Sequence, residues 1–117
     1  GLGLTFLSIP NPEHHFYREV FANFYKIIER LTVVDILGKT KLTSEKKQIK
    51  KAMAGLGLDK TIVDEFDDIY KIRCRDAMHS WGTEAPVTFE EAGKCKVLCD
   101  YYLYKYLERE ANKVVKE

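Results

Sequence analysis

The chain has 117 residues, of which 45% are hydrophobic and 32% are charged, and its formal net charge is +1. This length suits one domain with a modest core. The near-neutral charge argues against a uniformly basic nucleic-acid-binding protein, and the lack of any run of about eighteen apolar residues argues against a membrane-spanning helix. We expect a cytoplasmic, mostly helical protein that does not bind membranes.

Residues 1–12 differ from the rest of the chain. They start Gly-Leu-Gly without an initiator Met and lack the basic region of a signal peptide. We therefore expect residues 1–12 to be a segment or linker from a missing upstream region, and residues 13–117 to form a single domain.

The first predicted helix begins at Asn11-Pro12-Glu13, which combines a capping side chain, a proline at the first helical position and an acid near the positive helix end. It runs to about Leu37, and Gly38 closes it. Five apolar residues recur at helical spacing and are predicted to face the core: Phe16, Val20, Phe24, Ile27 and Leu31.

Two further helices precede the most informative segment. Thr43 or Ser44 caps a short second helix, which ends at the glycines of residues 55–57. The third begins near Asp59 or Thr61 and runs into residues 72–82.

Thr88 caps the last helix, which carries Glu90 and Glu91 in its first turn and runs to about Lys113. From residue 97 to 107 its apolar and aromatic side chains point almost all round the helix. Such a helix is usually buried on more than one side, which favours contact with a partner subunit or an upstream domain. The alternative is an amphipathic helix whose tyrosine hydroxyls lie in water.

Arg73 interrupts the apolar stripe of the third helix. At 100° per residue, Phe66, Ile69 and Arg73 lie within about 40° of Ile62. A charge on a packing face needs a carboxylate, a bound anion or a hydrated interface, because burying it alone is costly. His79, whose side chain titrates near neutrality, follows after five residues.

Other candidate sites are weaker. The three cysteines have spacings that indicate free thiols, and no metal site or cofactor is predicted. A group of lysines on the second helix forms either a solvated face or a phosphate-tracking patch. Glu19 and Glu29 of the first helix could reach the Arg73 region from across the bundle.

The helical context, residues 69–72 and the spacing of Arg73 and His79 resemble the HEPN superfamily, including its Apea-like, toxin and abortive-infection ribonucleases. The family's signature is an arginine, four to six residues and a histidine. The chain departs from the usual pattern because Cys74 follows the arginine and Ser80 follows the histidine. Arg75 is a competing arginine, but it points about 200° away from Arg73.

This resemblance implies an all-α, four-helix up-and-down bundle that dimerises through the Arg/His-bearing helices. It also implies that the protein is a metal-independent endoribonuclease that acts in phage defence or in a toxin–antitoxin system. Arg73 and His79 would be catalytic, and Arg75, Ser80 and Lys71 would bind substrate. The expected partners are RNA, a second copy and an upstream domain or antitoxin protein.

Two alternatives remain open at this point. The first is a HEPN-like module without catalytic activity, used for dimerisation, ligand binding or protein interaction. The second is an unrelated helical interaction domain in which Arg73 forms a structural ion pair.

Overall fold

The structure, a computed structural model, describes the backbone of residues 12–78 and 87–116 and the side chains of residues 16–75 and 87–115. Four α-helices lie within these ranges: α1 (Pro12–Arg30), α2 (Glu45–Gly55), α3 (Lys60–Met78) and α4 (Phe89–Lys116). A π-helical turn, Leu31–Ile36, continues α1. The described ranges contain no strand, so the all-α class predicted from the sequence is confirmed.

The helices end where glycine permits a left-handed backbone. Gly38 follows the π-helical turn with φ of 62°, and Gly57 follows α2 with φ of 95°. Only glycine adopts such angles without strain, so both residues act as helix terminators. The predicted ends of the first two helices are confirmed.

The order of the helices departs from strict up-and-down alternation, because α1 and α4 run in the same direction. Early in both helices, the rings of Tyr17 and Phe89 lie 5.7 Å apart. Farther along both, the hydroxyls of Thr32 and Tyr102 lie 2.6 Å apart. In an alternating bundle the first and fourth helices are antiparallel, so that detail of the predicted topology is wrong.

The short connections make α3 antiparallel to both of its sequence neighbours. Lys50 of α2 contacts Asp67 of α3, whereas Glu45 at the start of α2 lies near Arg73, farther along α3. α3 therefore lies between α2 and α4, with its second half near the start of each.

The core lies where the four helices meet. Its most deeply buried side chains are almost all apolar: Ile28, Ile49, Met53, Phe66, Ile69, Leu98 and Tyr102. The face of α1 that enters this core differs from the predicted one. Phe21, Tyr25 and Ile28 are buried, whereas Phe16 and Ile27 are 61% and 41% exposed. Both sets of residues have helical spacing, so periodicity alone could not distinguish them.

The π-helical turn surrounds a buried threonine. The Thr32 hydroxyl donates to the Ile28 carbonyl at 2.9 Å and is hydrogen-bonded to the Tyr102 hydroxyl at 2.6 Å. These bonds satisfy the one buried polar residue among the described side chains and connect the end of α1 to the middle of α4.

Candidate functional site

Arg73 lies where α1, α2 and α3 approach one another. Its guanidinium carbon is 5.0 Å from the centre of the Tyr25 ring, a cation–π contact with a buried aromatic side chain. Its Nη2 is 3.9 Å from Oε2 of Glu29, and its Nε is 3.9 Å from Oε2 of Glu45. The side chain remains 40% exposed. Arg73 is thus held beside the core with part of its surface open.

The two carboxyl groups beside Arg73 share a proton near neutral pH. A hydrogen bond with Glu45, aided by burial and the Glu45 charge, raises the pKa of Glu29 to about 7, although Arg73 opposes the shift. Two adjacent carboxylates repel each other, and one proton between them relieves that repulsion. The protonated Glu29 carboxyl then donates to Glu45, so Arg73 faces one negative charge instead of two.

Tyr25 forms the apolar floor of this site. Its ring stacks on Phe66 with centres 5.9 Å apart, which ties the site to the core. Burial, followed by the nearby Glu45 charge, raises the pKa of its hydroxyl. That hydroxyl is buried, and the neighbouring Glu45 carboxylate contributes to its raised pKa both by its charge and as a hydrogen-bond acceptor. Tyr25 therefore contacts Arg73 through its ring and faces Glu45 with its hydroxyl.

Arg75 occupies the opposite side of α3. Its Nη2 and Nη1 donate to the two oxygens of Glu91 at 2.8 and 3.1 Å. The Glu91 backbone N–H donates to Thr88 Oγ1, and Glu91 Oε1 accepts from the Thr88 N–H. Thr88 caps α4 as the sequence predicted, and with Glu91 it forms a capping box whose carboxylate also pairs with Arg75.

The Glu91 carboxylate is stabilised in its charged form. Burial pushes its pKa up, but hydrogen bonds from Arg75 and Thr88 outweigh that effect and hold the pKa below its ordinary range. The bidentate pair is therefore ionised at neutral pH, and it fastens α3 to the start of α4.

A cleft of about 390 Å³ lies between α3 and α4. Six side chains line it: Asp68, Lys71, Ile72, Arg75, Glu91 and Lys94. Lys94 donates to Asp68 at 2.9 Å, so its charge and that of Arg75 are matched by acids. Lys71 is exposed at the edge of this mixed-charge cleft.

The predicted site residues fall into three groups. Lys71 and Arg75 line the same cleft, whereas Arg73 faces α1 and α2 on the other side of α3. His79 and Ser80 lie outside the described residues. Sequence reasoning included Glu29 but missed Tyr25 and Glu45, because only the tertiary approach of α1 and α2 brings them to Arg73.

The remaining candidates fit structural roles. Among the side chains described, no group of three or more histidine, cysteine or acidic residues could hold a metal ion. Burial raises the pKa of Cys95 to about 12 and that of Cys99 to about 11, so both are protonated thiols. Lys50 of the α2 lysine group is salt-bridged to Asp64 and Asp67.

Comparisons with known proteins add no assignment. No family model, no curated protein and no solved structure matches the chain. None of the described helices is both long enough and apolar enough to span a membrane.

Proposed function

We propose that this domain is a metal-independent endoribonuclease of the HEPN type in which Arg73 and His79 act on the scissile phosphodiester. The observation that carries the proposal concerns the contacts of the Arg73 guanidinium. Its guanidinium is positioned by Tyr25 and two carboxyl groups, yet it forms no hydrogen bond with the described residues. Its donors are therefore available for a phosphate.

Partial protonation of Glu29 moderates the negative charge around Arg73 near neutral pH. Two ionised glutamates would outweigh Arg73 and repel a phosphate, but with its pKa raised to about 7 Glu29 carries a proton in about half of the molecules at that pH. Arg73 can then bind a phosphate through two parallel N–H donors, a geometry that lysine cannot provide.

In the proposed reaction the ribose 2′-oxygen attacks the adjacent phosphorus, and the bond from phosphorus to the 5′-oxygen breaks. A base accepts the 2′-hydroxyl proton and an acid protonates the leaving 5′-oxygen. The imidazole of His79 suits one or other of these transfers near pH 7. Arg73 would stabilise the charge that develops on the phosphoryl oxygens. The products would be a 2′,3′-cyclic phosphate and a 5′-hydroxyl.

The test is cleavage of labelled RNA in EDTA by the wild type, His79→Ala and Arg73→Ala. We expect losses of about 10² to 10⁴-fold for His79→Ala and about 10² to 10³-fold for Arg73→Ala. Lys60→Ala, at the exposed start of α3 and outside the α2 lysine group, is the matched control and should retain activity. A circular dichroism melt of each variant checks that the fold is intact.

Two results would contradict the proposal. One is wild-type protein without activity on any of a set of structured and unstructured RNAs. The other is cleavage that survives unchanged in folded His79→Ala, which would indicate a contaminating nuclease.

A second candidate function is a helical module without catalytic activity, and the two carboxyl groups 3.9 Å from Arg73 favour it. In that case Arg73 serves as a clamp between α1, α2 and α3. Arg73→Ala would then lower the melting temperature, and the wild type would leave RNA intact.

A further inference from the structure

The outer face of α4 carries apolar side chains along most of its length. Val97, Tyr101 and Tyr104 are 54%, 49% and 62% exposed, and Leu107 and Val115 are also largely exposed. On a helical wheel they centre about 160° from the face that contributes Leu98 and Tyr102 to the core. α4 thus has a second apolar side that its own domain leaves open, as the sequence predicted.

The spacing along this outer face is that of a two-stranded coiled coil. Positions 97, 101, 104, 108, 111 and 115 alternate between steps of four and three residues. Apolar or aromatic side chains occupy five of these six positions, and the exception is Glu108. Such a seam packs best against another helix with the same repeat. These six positions are hereafter the α4 seam.

The charges beside the α4 seam favour a second copy of this same helix. In a parallel coiled coil, the residue that precedes a seam position such as Tyr101 faces a residue of the partner helix that lies five places further along the chain. For this chain that rule brings Asp100 opposite Lys105 of the second copy, and the two-fold axis repeats the pair. The contact is therefore complementary to itself in charge.

The present partners of these two residues do not prevent that pairing. Asp100 accepts from Lys96 at 2.7 Å, and Lys105 lies 3.8 Å from Glu108. Both are contacts within one helix between partly exposed side chains, which contribute little to stability and rearrange easily.

The last turns of α4 point to the same conclusion. Val114 and Val115 are 72% and 83% exposed, and the residues from 111 to 115 are all exposed. Helical segments without tertiary packing are marginal in water. A second α4 alongside would cover these valines and stabilise the helix end.

We propose that α4 is a dimerisation helix, which pairs in parallel with α4 of a second copy through the α4 seam. The contact spans about 27 Å from Val97 to Val115, at 1.5 Å per residue. Glu108 within the seam weakens it, so we expect a reversible dimer with a dissociation constant on the order of micromolar. This contact does not use the Arg73-bearing helix and is independent of the nuclease proposal.

Sedimentation equilibrium over a range of concentrations tests the proposal. Tyr104→Glu places a charge in the middle of the seam and should weaken the dimer at least about 30-fold. Ile27→Glu makes the same kind of change at a 41%-exposed position on α1 and should leave association unchanged. A monomeric wild type at high concentration, or equal effects of both variants, would overturn the proposal.

A charge exchange tests the partner and the register. Asp100→Lys and Lys105→Asp should each weaken association because like charges then face each other across the dimer. The double variant has the same amino-acid composition as the wild type. It should restore association, because opposite charges again face each other across the dimer. A double variant no stronger than either single variant would rule out the Asp100–Lys105 pairing.

The direction of pairing has its own test. In a parallel dimer, residue 104 of each copy lies beside residue 104 of the other, so Tyr104→Cys should form an intermolecular disulfide on mild oxidation. Lys47→Cys, on the exposed face of α2, controls for random collision. Equal cross-linking of the two variants would refute the parallel arrangement.

Discussion

The proton shared by Glu29 and Glu45 makes the stability of this protein depend on pH in a defined window. The pKa of Glu29 is raised from 4.5 to about 7 in the folded state, so the folded state binds this proton more tightly than the unfolded chain does. The resulting stabilisation is fully present below about pH 4.5 and is lost as the pH rises through 7. Replacing Glu29 with Gln should remove this dependence, because the amide stays neutral and can still donate to Glu45.

The expected size of this stability change follows from the raised pKa of Glu29 and from the exposure of its side chain. A pKa raised from 4.5 to about 7 corresponds at face value to about 3.4 kcal/mol. The Glu29 side chain is 37% exposed, so solvent screening reduces the expected effect to about 1 kcal/mol. For a domain of this length, that amounts to about 4 °C in melting temperature.

The assay is thermal unfolding of the wild type and Glu29→Gln by circular dichroism between pH 5 and pH 8. The melting temperature of the variant should rise relative to the wild type by about 4 °C from the acidic to the alkaline end. Groups common to both proteins, including the three histidines, cancel in this difference. Glu65→Gln, on the exposed side of α3, should give a constant difference. A constant difference for Glu29→Gln as well would refute the shared proton.

Two further predictions concern the core. Tyr102→Phe removes the hydroxyl that lies 2.6 Å from Thr32 and should lower the free energy of unfolding, measured by urea titration, by about 1 kcal/mol. The loss is limited because Thr32 still bonds to its own helix, and an unchanged transition midpoint would contradict this role of the Tyr102 hydroxyl. A thiol reagent at pH 8 should modify the half-buried Cys74 first, because burial raises the pKa of Cys95 to about 12 and that of Cys99 to about 11. Equal rates of modification at all three thiols would contradict the burial of Cys95 and Cys99.

The features that the sequence predicted well are those set by local chemistry. Gly38 and Gly57 mark helix ends because a left-handed backbone suits glycine alone. Thr88 and Glu91 mark the start of α4 because a capping box needs only residues three apart. Each of these signals is complete within one turn of the chain, so no tertiary information is required.

The features that the sequence did not predict depend on how the helices meet. α1 is apolar on two sides, and only packing selects Phe21 and Tyr25 for the core over Phe16 and Ile27. The hydroxyl of Thr32 in the π-helical turn is hydrogen-bonded to that of Tyr102, a residue seventy positions away. Likewise, nothing near Glu45 in sequence indicates that it will lie beside Arg73.

The two arginines of α3 illustrate why neighbouring candidates need separate treatment. They are two residues apart and therefore point about 200° apart, one toward α1 and α2 and the other toward α4. Arg75 commits two of its nitrogens to Glu91, whereas Arg73 has carboxyl groups only at 3.9 Å and forms no hydrogen bond with the described residues. A phosphate at Arg75 would have to displace a bidentate carboxylate, whereas one at Arg73 would complete a coordination that its neighbours leave open. The proposed chemistry therefore belongs with Arg73, and Arg75 with the attachment of α3 to α4.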